Sequence, residues 1–188
     1  MVVIYCDGAA SNNGYDNAVG GYGWVMELRG EAPLLYGGRK ENATNNQMEL
    51  TAMISALSFL EGMLSRGEYK LEDDEQVFVY TDSAYISNCY TQKWYLNWRH
   101  NGWVNSKREP VANKESWETL IPWFERPNIH IVKVKGHSTN LGNQIADKLA
   151  VAARTMDTLE FSKYKYDFSK ELQEIWGNVN DRLNNTSI

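Results

Sequence analysis

Apolar positions fall along the chain in two periods. Short runs rich in β-branched and aromatic residues, bounded by glycine and proline, predict strands at 2–7, 21–28 and 34–39. The links are short, and the second holds Gly30 and Pro33, so these three read as an antiparallel meander. VFVYT, 77–81, is continuously apolar, as expected of a central strand covered on both faces. IHIVKVKG, 129–136, supplies a fifth strand. Elsewhere the period lengthens. Ala52, Met53, Ala56, Leu57, Leu60 and Leu64 recur at spacings of three and four and predict a helix over about 46–66. DSAYISNCY reads as a helix capped by Asp82 or Ser83, and ESWETLIPWFE as a helix interrupted near Pro122. The polar loop HSTNLGNQ leads to a helix at IADKLAVAAR. Three strands, helix, strand, helices, strand, helix is the order of an α/β fold, a five-stranded mixed sheet flanked by helices.

The tail has its own pattern. Leu172, Ile175, Trp176, Val179 and Leu183 mark one face of a helix over 169–184, with Ser169 as its cap, though Gly177 and two asparagines weaken it. The expected division is a main domain over 1–155 and a C-terminal helical extension over 156–188. The extension is expected to pack on the domain or on a partner, since a short isolated helix is marginal in water.

The 188 residues, 43% hydrophobic, suit one globular domain with an appendage. No apolar run approaches the roughly 20 residues of a membrane span, and MVVIYCDG lacks the basic start of a signal peptide. A cytoplasmic monomer without a membrane partner is expected. Cys6 and Cys89 fit no metal spacing and read as buried thiols. The net charge of −5 argues against binding nucleic acid through bulk charge, but its distribution changes the picture. Lys93, Arg99, Lys107, Arg108 and Lys114 against Glu109 alone make the segment 93–114 locally +4. Trp94, Tyr95, Trp98 and Trp103 interleave with these charges, a pattern suited to stacking bases and sugars. A solvated loop is the bland alternative.

One position resists the helical pattern. Glu49 falls on the apolar face of the first helix, one turn before Ala52 and Met53. It is either the N3 residue of a capping box begun by Asn46 or a carboxylate aimed at something other than the core. Asp7 and Asp82 end the first and fourth strands, and Asp147 lies early in the helix after the fifth. If the first and fourth strands are parallel neighbours, all four acids meet at one sheet edge, outside the carboxyl ends of strands. Each acid alone has an ordinary explanation as a turn, a cap or a surface charge. Four together repel one another, and divalent cations resolve that repulsion. Carboxylate oxygens suit magnesium or manganese over zinc.

YCDGAASNNG, TNNQMELTA, YTDSAY and VKGHSTNLGNQIADKLA resemble, in order, the signature blocks of type 1 ribonuclease H. KWYLNWRHNGWVNSKREPVANKESW is similar to that family's basic protrusion. The resemblance covers about 1–155. It implies a ribonuclease H-like fold and an endonuclease that cuts the RNA strand of RNA/DNA hybrids with two Mg2+ ions, Mn2+ being a substitute, leaving 5′-phosphate and 3′-hydroxyl ends. By position, it makes Asp7 the ligand shared by both ions, Glu49 and Asp82 the rest of one site, and Asp147 the other. It makes His137 a mobile proton-moving group, and Asn13, Asn45, Asn46 and Asn143 contacts to the hybrid's minor groove. Trp94, Trp98, Arg99, Trp103, Lys107 and Arg108 would hold substrate on the protrusion.

The chain departs from the family pattern in several places. Its first loop is longer and lacks a Pro-Gly pair; Gln144, Gln47 and Ala84 replace a common Glu, a common Arg and a longer polar residue. None of these removes an acid. Two other readings share the motifs: a silent hybrid-binding module, and another nuclease or strand-transfer enzyme on the same fold. Retention of the four acids and His137 weighs against the first, and the TNN block and Trp-rich segment against the second.

Overall fold

The computed structural model describes residues 1–11, 18–135 and 140–184, the last eleven of these as backbone only. β1 (Val2–Ser11), β2 (Val19–Glu27) and β3 (Leu34–Glu41) form the expected meander. They are followed by α1 (Asn45–Ser65), β4 (Val77–Thr81), α2 (Ala84–Gln92), α3 (Trp94–Asn101), α4 (Lys114–Phe124), β5 (Ile129–Lys133), α5 (Leu141–Thr155) and α6 (Thr158–Asn184). The sheet order is β3-β2-β1-β4-β5, antiparallel in the meander and parallel from β1 through β5.

Strand alternation sorts side chains onto two unequal faces. Val2, Ile4, Cys6, Trp24, Met26, Val77, Val79, Ile129 and Ile131 point into the main core, beneath α1 and α4. On the other face Val25, Ile145, Leu149 and Leu172 form a small buried cluster, edged by Tyr5, Leu35, Phe161, Tyr164 and Phe168. β4 is central, as expected, but only Val77, Val79 and Thr81 are buried; Phe78 and Tyr80 are half-open on the second face. Coverage of both faces was therefore overestimated, because α5 and α6 lie toward β1, β2 and β3.

Four expectations need correction. β1 does not stop at Gly8 but continues to Ser11, so Asp7 lies inside a strand. α1 is capped by Thr44, not Asn46: Thr44 Oγ1 accepts from the Gln47 amide at 3.2 Å, and Gln47 Oε1 accepts from the Thr44 amide at 2.9 Å. Pro122 does not interrupt α4. It sits in the last turn and forfeits one backbone bond, that to the Glu118 carbonyl, and the buried Trp117, Leu120, Ile121, Trp123 and Phe124 hold the helix through Phe124 despite that loss. The tail helix begins eleven residues before Ser169, at Thr158. Asp157 caps it, Oδ1 accepting from the Leu159 and Glu160 amides, each at 2.9 Å, while Glu160 accepts from the Asp157 amide. Leu172 is 3% exposed and joins the second core cluster. The side chains of Ile175, Trp176, Val179 and Leu183 lie outside the described residues.

Candidate active site

The site follows from where β1 and β4 part. Their parallel register ends at Cys6 opposite Thr81, after which β1 continues only against β2, with Asp7 opposite Gly23. The chain leaves β4 at Asp82 and turns into α2, capped by Ser83 Oγ accepting from the Ile86 amide. Asp7 and Asp82 are thus adjacent, just past the last strand pair. α1 brings in the third acid. Its first turn presses on β1 so closely that a Cβ on Gly8 would lie 2.3 Å from the Glu49 amide nitrogen. Asn45 Oδ1 fastens it further by accepting from the Ala10 amide at 2.7 Å. Because Thr44 and Gln47 supply the capping box, Glu49 is released from that role.

The ligand oxygens of Asp7, Glu49 and Asp82 all lie within 4.8 Å of one another. Asp147, six residues after the start of α5, lies close enough to Asp7 for its charge to act on it. The four sequence-predicted acids therefore converge, three of them as a tight group. Burial, with the nearby Asp82 and Asp147 carboxylates, pushes Asp7 up to about 8, although the Gly8 amide donates to it at 2.7 Å. Burial also pushes Glu49 well above the usual carboxylate range, with Asp7 and Asp82 adding to it. Its Oε2 is buried with no hydrogen-bond partner among the described residues. Such an oxygen costs free energy unless something binds it. An all-oxygen anionic set with an unpartnered buried ligand atom fits a hard divalent cation.

The remaining predicted residues are placed differently. Asn45 borders the acids, and Asn46 is exposed beside it. Asn143 lies one turn before Asp147, 2% exposed, with a buried Oδ1 that has no partner among the described residues. Asn13 and His137 lie outside the described residues. In the Trp-rich segment, Trp94 and Trp103 are half-buried, whereas Trp98 belongs to the main core, its ring centroid 5.6 Å from that of Trp117. Arg99 is gripped by Glu125, with Nη1 donating at 2.6 Å and Nη2 at 3.1 Å. Lys107 and Arg108 are exposed and take no ion pair among the described residues. Asn105 shapes their loop, its Oδ1 accepting from the Lys107 and Glu109 amides at 2.9 and 3.0 Å. Lys93, Trp103, Arg108 and Asn113 all have positive φ, between 53° and 63°. Such strain in non-glycine residues tends to collect where geometry serves function.

Sequence reasoning missed the residues that set this geometry: the Thr44 cap, and Gly8, whose lack of a side chain admits α1. Thr44-x-x-Gln47 is a readable capping box. Gly8 gave no signal, because a close approach between distant segments leaves no local pattern.

Residues 1–155 match the RNase H family. Ribonuclease H of Clostridium botulinum (strain Hall) is 40% identical over 156 residues, spanning 79% of this chain and 92% of that one. The Syntrophomonas wolfei ribonuclease H is 39% identical over 149 residues, with the same coverage. Among solved structures, LC11-RNase H1 in complex with RNA/DNA hybrid aligns with a TM-score of 0.57 at 25% identity, covering 82% of this chain and 96% of that one. LC9-RNase H1, described as a type 1 RNase H with the type 2 active-site motif, aligns at 0.64 and 24% identity, over 81% and 71% of the two chains.

Proposed function

The chain belongs to the ribonuclease H family, and from that premise we infer that it is an endonuclease hydrolysing the RNA strand of RNA/DNA hybrids, leaving 5′-phosphate and 3′-hydroxyl ends. The observation that carries the reading is the convergence of Asp7, Glu49 and Asp82 oxygens within 4.8 Å, one of them buried and unpartnered, beside Asp147.

Asp7, Glu49 and Asp82 would hold one divalent ion, and Asp7 with Asp147 a second. Magnesium, or manganese in its place, supplies charge neutralisation, an activated water and stabilisation of the leaving oxygen when bound. The chain's own part is placement. β1 and β4 fix Asp7 and Asp82, and the Thr44 cap with the Gly8 contact fixes Glu49. Asn45 and Asn46 border the acids on the α1 side. Their amides suit 2′-hydroxyls and base edges, the groups that distinguish RNA from DNA. Asn13 and Asn143 join them on sequence resemblance, and His137 moves a proton at the departing product on the same ground. Lys107 and Arg108, with the partly open faces of Trp94 and Trp103, contact the hybrid's backbone. Trp98 supports that surface from within, and Arg99 is held at it by Glu125. Residues 1–155 are the catalytic domain and 156–188 the helical extension of a cytoplasmic monomer. No helix among the described residues is long and apolar enough to cross a membrane.

The test is a gel comparing RNA/DNA hybrid, duplex RNA and duplex DNA, each with magnesium and with chelator. The expected result is cleavage of the hybrid's RNA strand in magnesium alone. Cleavage that persists in chelator, or that is equal on duplex RNA, contradicts the reading.

A further inference from the structure

Three of the four acids are positioned by β1, β4 and α1, which share the main core. Asp147 depends on α5, which lies on the thin face of the sheet. The contact of α5 with β2 has one buried apolar anchor, Val25 against Ile145 and Leu149, and beside it glycines set the approach. A Cβ on Gly21 would meet the Ala150 carbonyl at 2.0 Å, and one on Gly23 would meet the Leu149 Cβ at 2.6 Å and the Ala146 carbonyl at 2.7 Å. Glycines against helix backbone set how near α5 approaches. They offer no knob to fix where it stops along its own axis.

Tyr5 supplies that stop. It lies two residues before Asp7 in β1, on the same face of the strand. Its ring occupies the space over Gly142, in the first turn of α5, where a Cβ would fall 2.3 Å from both Cδ2 and Cε2. Its hydroxyl lies beside the Asn140 side chain, and Asn140 caps α5, Oδ1 accepting from the Asn143 amide at 3.1 Å. Tyr80, the registered neighbour on β4, stacks on Tyr5 with centroids 5.2 Å apart and planes at 22°. One strand thus carries both Asp7 and the side chain that indexes the helix bearing Asp147.

We propose that Tyr5 is a positioning residue that fixes the first turn of α5, through Gly142 and Asn140, and so sets Asp147 against Asp7. The inference rests on the hybrid-cleaving reading of the acid site. Tyr5→Phe removes only the hydroxyl contact, Gly142→Ala drives a methyl into the ring, and Tyr5→Leu/Gly142→Ala makes room for that methyl. Each is compared with wild type for kcat and KM on hybrid, and for the magnesium concentration giving half of the magnesium-induced rise in melting temperature.

Gly142→Ala is expected to lower kcat about 10–100-fold, as a small misplacement of a reacting group does, with KM within about twofold. Its magnesium midpoint should rise, and the double variant should recover part of both losses. Tyr5→Phe should show the same changes to a lesser degree, and it keeps the test open if Gly142→Ala does not fold. Unchanged kcat and midpoint in Tyr5→Phe, or a fall in melting temperature with an unmoved midpoint, would overturn the proposal. So would a double variant whose losses simply add. The midpoint is read without substrate, so it judges Tyr5 even if wild type fails to cut hybrid, a failure that would instead remove the functional reading.

Discussion

The two faces of the sheet are built to different depths. Beneath α1 and α4 the core is continuous, with Trp24, Trp117, Met53 and Leu57 fully buried. Beneath α5 and α6 the apolar cluster is small, Val25, Ile145, Leu149 and Leu172, filled out by buried alanines of α5 and edged by partly open rings. The thick face anchors Asp7, Glu49 and Asp82; the thin one presents Asp147. Deep packing resists rearrangement, because a well-filled core deforms only at a cost. Three acids are thereby held in a mutually repulsive group, while the fourth rides on a helix that meets the sheet closely but through small residues, the glycines of β2 and the alanines of α5. Part of the thin layer comes from outside the stretch matched to the family: Phe161 meets Gly37, and Leu172 seals Ile145 and Leu149.

The contrast breaks most completely at its shared centre. Asp7→Asn should reduce cleavage to background while leaving the fold intact, since an amide nitrogen replaces one oxygen of the proposed shared ligand. A cleavage assay checks this, and near-wild-type turnover would remove the metal reading. Next come the cores. Leu57→Ala on the thick face should cost about 3–5 kcal/mol and Leu172→Ala on the thin face about 2, both measured by denaturant unfolding. Removing 156–188 should lower the melting temperature and leave hybrid cleavage recognisable. A truncated protein of unchanged stability that no longer binds hybrid would make the extension part of the substrate surface instead.

How much of this was readable differs by kind of information. Strand and helix positions came from periodicity, and the four acids from their places at the ends of elements. Tertiary closeness left no such trace, so β1 was ended at Gly8 although that glycine admits α1 within the strand. The early start of α6 has a sequence signal, but a blurred one. Phe161, Tyr164, Phe168 and Leu172 recur at helical spacing, and Asp157-x-x-Glu160 is a capping box, yet the interleaved lysines and tyrosines blur that face until past Ser169. Trp98 and Arg99 share the pattern of Trp103 and Arg108, and only packing tells a core ring from a half-buried one and a guanidinium paired with Glu125 from one that takes no ion pair among the described residues.

A smaller effect sharpens the picture at the sheet's far end. Burial would raise Glu75, but the Met1 ammonium at 2.7 Å, the Tyr69 hydroxyl at 2.7 Å and the Glu72 amide bring it down to about 2. A carboxyl held below its ordinary value stabilises the fold above that value, and the contribution is lost as pH falls toward the folded one. Glu75→Gln should therefore destabilise the protein at pH 7, by at most about 3 kcal/mol. The difference from wild type should shrink between about pH 5 and 2. A difference constant with pH would mean that the loss is one of shape. The smallest effect concerns the protrusion. Lys107→Ala/Arg108→Ala should flatten the salt dependence of hybrid binding by about one to two units of slope, while Arg99→Ala, already paired with Glu125, should leave that slope unchanged.

The central claim is that the acid group is strained by its own charge and relieved by a cation. Melting temperatures of wild type and Asp7→Asn, each in chelator and in magnesium, test it directly. Asp7 is held at about 8 in the fold against an ordinary 3.8. Its repulsive penalty is therefore absent at low pH and grows until pH passes the folded value. At pH 8 in chelator, Asp7→Asn should melt above wild type, and magnesium should raise wild type far more than the variant. A variant that melts below wild type in chelator, with magnesium raising both equally, would contradict the account.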